Sequence, residues 1–274
     1  MPEFTFKEKK VYYEVYGEGE PLLLLNGIMM SCISWSEFIE PFSKNNQLIL
    51  MDLLDQGRSQ NMSFFPEYDQ KLQTEAVFAL CKFLKLNRVS IAGISYGGEV
   101  ALHFALEYPD CLRRMVLFNT TAKTGPWLGD IGKSWIKAGS DPEAYYYTTI
   151  PIVYSPQFYS RYNDWMTQRR TLLHSVFANK EWMDSMSRLT KSAESHDVLN
   201  RLGEIQCPVL VVSCGRDYLT PVQEQKKIVE KLPQGYHCIL PGEGHASMYE
   251  NPVLFSSLVL GFINNPKVQY TILS

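Results

Sequence analysis

The sequence predicts an α/β protein: a mostly parallel sheet with helices on both faces, interrupted by a helical insertion. Three observations carry this. Strand-like and helix-like segments alternate through residues 1–120, the rhythm breaks over residues 121–200, and it resumes after Leu202. Strand, helix, strand, helix in this order implies parallel strands joined by crossover helices. Residues 1–120 and 201–274 are therefore expected to share one core, with residues 121–200 as a helical cap.

The elements follow in order. Val11 to Gly17 alternates and ends at the turn cluster GEGEP. Pro21 to Asn26 (PLLLLN) is a continuous apolar run, suited to a strand buried on both faces. SWSEFIEPFS can form a short amphipathic helix, and Gln47 to Asp52 is the next buried strand. Asp69 to Leu86 has helical periodicity through Leu72, Ala76, Ala79, Leu80, Phe83 and Leu84. The strand RVSIAG, a helix from Tyr96 to Tyr108 stopped by Pro109, and the strand RMVLFN complete the first part. Helical segments at Trp165 to Phe177 and Trp182 to Leu189 mark the insertion, which Pro126, Pro142, Pro151 and Pro156 cut into short pieces. PVLVVSCG, a helix from Val222 to Leu232, the strand YHCILPG and a helix from Val253 to Ile263 close the chain's pattern. An insertion between two parts of one sheet is expected over its carboxyl edge, where open α/β sheets bind ligands.

The candidate chemistry starts at Gly93-Ile94-Ser95-Tyr96-Gly97, a G-x-S-x-G that follows an apolar strand and opens a helix. Such a turn lifts a serine hydroxyl clear of the sheet, and glycines two residues either side remove collisions that side chains would make. A serine hydroxyl needs a base within hydrogen-bond reach. His103 lies within the same helix, His174 and His196 lie in the insertion, and His237 sits at the mouth of the last strand. His245, in the glycine-flanked loop PGEGHASMYENP, follows that strand and reaches the sheet edge that carries Ser95. Asp217, after PVLVVSCGR, is the expected acid; Asn119 holds a comparable place but is not a carboxylate. Ser95, Asp217 and His245 are thus the candidate triad. The N–H groups of Ile28 and Tyr96 are the candidate oxyanion donors, and Asn26, Gly27, Met29 and Trp127 the candidate substrate contacts.

Composition bounds the partners. The chain has 274 residues, 45% hydrophobic and 20% charged, with a formal net charge of -3. No cluster of positive charge suggests nucleic acid or an anionic membrane as partner. Six cysteines lack CxxC spacing and several sit in apolar runs, so no metal and no cofactor are expected. No apolar signal core and no membrane span stand out, and a cytoplasmic setting with a small-molecule acyl substrate is expected. Oligomeric state is not legible.

LLLLNGIMMSCISW, MDLLDQGRS, GISYGG, GRDYLTP and PGEGHASMYENP together resemble the α/β-hydrolase superfamily, and more narrowly its branch of 3-oxoadipate enol-lactonases and small carboxylesterases. The resemblance covers essentially the whole length. It implies the α/β-hydrolase fold with a helical cap between the sixth and seventh sheet strands. It also implies a serine hydrolase cleaving a carboxylic ester or lactone through an acyl-enzyme. Two departures stand out: the family usually has His-Gly where this chain has Asn26-Gly27, and commonly a glycine and a histidine at Asp55 and Gln56. The same triad also serves C–C hydrolysis, thioester cleavage and peroxide chemistry. A ligand-binding sensor with slow residual hydrolysis is a reading of another class, separated from the enzyme by its turnover.

Overall fold

The computed structural model describes residues 2–63 and 68–264; residues 1, 64–67 and 265–274 of the expected core lie outside them. Before the insertion come β1 (Glu3–Phe6), β2 (Lys9–Tyr16), β3 (Glu20–Leu25), a 3₁₀ segment at Cys32–Phe38, α1 (Ile39–Ser43) and β4 (Asn46–Met51). They are followed by α2 (Gln70–Phe83), β5 (Val89–Ile94), α3 (Tyr96–Glu107) and β6 (Leu112–Phe118). The insertion holds α4 (Pro126–Ala138), α5 (Pro142–Val153), α6 (Pro156–Arg161), α7 (Asn163–Phe177) and α8 (Lys180–Ser192). Then come β7 (Val209–Cys214), α9 (Val222–Lys231), β8 (Gly235–Leu240), α10 (Ser247–Glu250) and α11 (Pro252–Asn264).

The strands form one sheet in the order β1-β2-β4-β3-β5-β6-β7-β8. β1 and β2 pair antiparallel, as do β2 and β4, and every pairing from β4 to β8 is parallel. The carboxyl ends of β3, β5, β7 and β8 therefore meet on one edge, which is what brings distant loops together. Buried apolar residues fill both faces. One layer, with α2, α3 and α9, includes Val77, Leu102 and Ile228. The other, with α1 and α11, includes Trp35, Phe42 and Phe255.

The sequence pattern named five strands before the insertion; the sixth is β1, too short at four residues to show a period. Pro126, Pro142 and Pro156 each open a helix and so divide the insertion as expected, whereas Pro151 lies inside α5 without ending it. A proline in the first turn forfeits no intrahelical bond, because those N–H groups have no partner there anyway. Within the insertion Trp135, Tyr145, Tyr146, Tyr154 and Phe177 pack as a separate apolar cluster. At its neck the two connecting segments pair, with Val198 N donating to Ala122 O (2.8 Å) and Thr124 N to His196 O (2.9 Å). Among the described residues no helix is long and apolar enough to cross a membrane.

Candidate active site

Ser95 is the single residue between β5 and α3, and its φ of 52° lies in the left-handed region that a side chain rarely adopts. That strain costs about 1–3 kcal/mol and persists only where surroundings enforce it. Here Ser95 N donates to Phe118 O (2.9 Å), and Ser95 O accepts from Gly98 N (2.8 Å) and Thr120 Oγ1 (2.8 Å). A Cβ at Gly93 would come within 2.5 Å of Gly97 O, and one at Gly97 within 2.3 Å of Leu25 O. Both glycines are therefore steric requirements of the turn, as expected from the sequence pattern.

Asp217 and His245 meet although 28 residues separate them. His245 Nδ1 donates to Asp217 Oδ2 at 2.8 Å, and the aspartate side chain is fully buried. Thr220 Oγ1 donates to the same oxygen (2.9 Å), while Oδ1 accepts from Leu219 N (2.8 Å) and Thr220 N (3.0 Å). Engaging Nδ1 in this way leaves Nε2 of the imidazole as the nitrogen available for proton transfer. Asn119, the position that the sequence offered without a carboxylate, donates its Nδ2 to His245 O at 2.8 Å and so holds the histidine loop.

Ser95 and His245 line the same two cavities, a large one of about 1010 Å³ and a small one of about 50 Å³. Ile28 lines both as well, and Tyr96 lines the smaller. The loop carrying Ile28 lies against the turn: a Cβ at Gly27 would be 3.6 Å from Ser95 Cβ. Tyr96 N belongs to the first helical turn, where N–H groups have no intrahelical acceptor. Gly27 and Met29 line the large cavity. Two expected substrate contacts do not. Trp127 is 62% exposed at the start of α4 and donates its indole N–H to Tyr218 O, whereas Trp135 of the same helix lines both cavities. Asn26 is completely buried behind the loop, with both ends of its amide in protein hydrogen bonds.

Four further features went unseen in the sequence. Asp55, its side chain buried, accepts from Arg188 Nε (2.9 Å) and Nη2 (2.7 Å), which pins α8 of the insertion to the loop after β4. His103 and His196 touch at 3.2 Å beneath the insertion's neck, and burial pushes His196 down to about 4. Arg169 lines the large cavity, its guanidinium 5.2 Å from the Trp165 ring and 4.9 Å from the Tyr249 ring. It has no ion pair among the described residues, and its buried Nε has no hydrogen-bond partner there. Glu250, which lines the same cavity, is committed to Ser155 N and Oγ, both at 2.6 Å.

The fourth is Glu99, one turn beyond Ser95, which lines the small cavity and accepts from Gln70 Nε2 at 2.8 Å. Burial pushes its carboxyl from the usual 4.5 up to about 8, the Gln70 bond opposing that rise. The folded protein thus keeps a proton there that the unfolded chain releases near 4.5, so this contribution is complete below that pH and is lost as pH rises through about 8. Glu99→Gln is expected to unfold in urea with wild-type stability near pH 4.5 and to gain on the wild type by pH 8.5, on the order of a few kcal/mol. An equal difference at both pH values would sink this assignment.

The fold is matched by comparisons with known proteins. A family model described as the alpha/beta hydrolase fold matches residues 20–252. The crystal structure of MGS-M2, an alpha/beta hydrolase enzyme from a Medee basin deep-sea metagenome library, is 45% identical. It superposes with a TM-score of 0.96, covering 99% of this chain and 100% of that one. The enol-lactonase from Burkholderia xenovorans LB400 is 20% identical with a TM-score of 0.84 over 96% of this chain and all of its own. A candidate carbamate hydrolase, RutD, of Agrobacterium fabrum (strain C58) is 28% identical over 266 residues, covering 92% of this chain and 98% of its own.

Proposed function

The chain belongs to the alpha/beta hydrolase family, and from that premise we propose that it is a serine hydrolase acting on carboxylic esters or lactones. The observation that carries this is the convergence of Ser95 and an Asp217-held His245 on one cavity. His245 takes the proton of Ser95 as Oγ attacks the acyl carbon, and the N–H groups of Ile28 and Tyr96 receive the oxyanion. The protonated imidazole then gives its proton to the leaving alkoxide. Water deprotonated by the same histidine attacks the acyl-enzyme, and Ser95 leaves with the acid released. The helices of residues 121–200 act as a cap that walls the large cavity, with Trp135, Val153 and Leu173 among its lining. The substrate is a small acyl compound, and the setting is cytoplasmic.

The test is a panel of p-nitrophenyl esters, lactones, a thioester and a vinylogous diketone. A burst of p-nitrophenol equal to the enzyme present, followed by steady turnover on esters or lactones, supports the reading. Turnover confined to the diketone moves the reaction to C–C hydrolysis.

Arg169 narrows the substrate further. A guanidinium beside two rings in the cavity, with no carboxylate of the described residues on it, suits a substrate that carries its own carboxylate. Arg169→Gln is expected to raise KM for a half-ester of a dicarboxylic acid roughly 10- to 100-fold, the weight of a charged hydrogen bond. KM for the matching neutral diester should stay within about threefold, since that compound never drew on the charge. Equal effects on both esters would leave Arg169 as a packing residue.

A further inference from the structure

Gln56 and Asn26 are the two amides that stand where the resembled family carries histidines, and in the fold they bond to each other. Asn26 Nδ2 donates to Gln56 Oε1 at 3.0 Å and to Met51 O at 2.9 Å. Gln56 Nε2 donates to Gly27 O at 2.7 Å and to Ile28 O at 3.1 Å. Both side chains are buried. The orientation of each amide is dictated by one neighbour: the indole N–H of Trp35, which can only donate, meets Asn26 Oδ1 at 2.7 Å. That contact turns Asn26 Nδ2 toward Gln56, which turns Gln56 Oε1 toward Asn26 and leaves Nε2 facing the two carbonyls.

A trans peptide is planar, so its N–H points opposite to its C=O. The carbonyl of Gly27 shares a peptide with the N–H of Ile28. Gripping that carbonyl from behind fixes where the Ile28 N–H points, and gripping the Ile28 carbonyl fixes the following peptide as well. We propose that Gln56, itself held by Asn26, is the positioning residue of the oxyanion hole: it aims the Ile28 N–H into the cavity in front of Ser95. This deepens the serine-hydrolase reading and rests on it.

The experiment compares wild type with Gln56→Met, which keeps length and loses both donors, and Gln56→Asn, which keeps the amide and shortens its reach. Loss of an oxyanion donor outright lowers kcat by about 10²- to 10³-fold. A donor left in place but badly aimed should lose roughly 10- to 100-fold in kcat on a short p-nitrophenyl ester, with KM within about twofold. Affinity for a trifluoromethyl ketone, whose adduct on Ser95 carries the oxyanion, should fall by the same factor as kcat. Affinity for the product acid should hold. The double variant Asn26→Leu with Gln56→Met should lose little beyond Gln56→Met alone, because both act through one amide.

Thermal unfolding by circular dichroism establishes which variants are folded, and if Gln56→Met is not, Gln56→Asn decides. A folded variant with wild-type kcat and ketone affinity overturns the proposal, as does a rise in KM with kcat unchanged. If the wild type itself hydrolyses no ester and forms no ketone adduct, the serine-hydrolase reading fails and takes the proposal with it.

Discussion

Ser95→Ala is expected to lower kcat on any ester substrate by on the order of 10⁴- to 10⁶-fold while leaving the fold intact. The size follows from chemistry: without Oγ no acyl-enzyme forms, and only the oxyanion donors and binding remain to assist water. The selectivity for activity over stability follows from the structure. Ser95 is held by its backbone, through Phe118 O, Gly98 N and Thr120 Oγ1, and its hydroxyl makes no hydrogen bond to the described residues. Alanine meets the same φ of 52° with the same Cβ, so the melting temperature should stay within about 2 °C, a change of no more than about 1 kcal/mol for a chain of this length. Steady-state kinetics with a melting curve on the same sample checks both halves. Retained turnover would remove Ser95 from the chemistry, whereas a collapsed fold would show that the turn itself was misread.

The second large effect is expected at Asp217→Asn, a loss of about 10⁴-fold in kcat. The hydrogen bonds say why an isosteric change should be so costly. Oδ1 accepts from two backbone N–H groups, of Leu219 and Thr220, so the amide oxygen of an asparagine must face them. Its NH₂ then faces His245 Nδ1 and Thr220 Oγ1, which now meet a donor in place of an acceptor. The imidazole answers by carrying its proton on Nε2, the nitrogen that has to receive the serine proton. Geometry survives and the base does not. A loss below tenfold, or one confined to KM, would contradict the role given to Asp217.

What the sequence made legible was whatever the parallel sheet converts into proximity. Ser95 and Asp217 each follow a fully buried apolar strand and His245 follows the edge strand β8, and parallel pairing carries their loops to one edge. The glycines at 93 and 97 were readable because the collision they avoid is local to the turn and its neighbouring strand. Contacts set by tertiary meeting were not. Asn26 read as a substrate contact because it sits in the right loop, yet it faces away from the cavity toward Trp35 and Gln56. Trp127 read as a pocket ring, and helix geometry turned Trp135 inward in its place. Asp55 and Arg188 are 133 positions apart, and no local pattern pairs them. Two signals were nonetheless present: Asp55 and Gln56 depart together from one motif, and Glu99 is a charge in the apolar run GGEVALHFAL.

The energetics of the elbow and the relay point the same way. A strained serine, two glycines without room for a side chain and a chain of buried amides behind Gly27 all concern one small volume in front of Ser95. Buried polar networks are tolerated when their members are satisfied, and this one fixes geometry as it satisfies them.

The central claim is that Ser95 is a nucleophile activated by His245. Treating the protein with a fluorophosphonate and mapping the adduct by peptide mass spectrometry tests it most directly. The account predicts one adduct per chain, on Ser95, absent from Ser95→Ala and formed far more slowly in His245→Ala. An adduct on another residue, or full ester turnover in protein that the probe never labels, would contradict it.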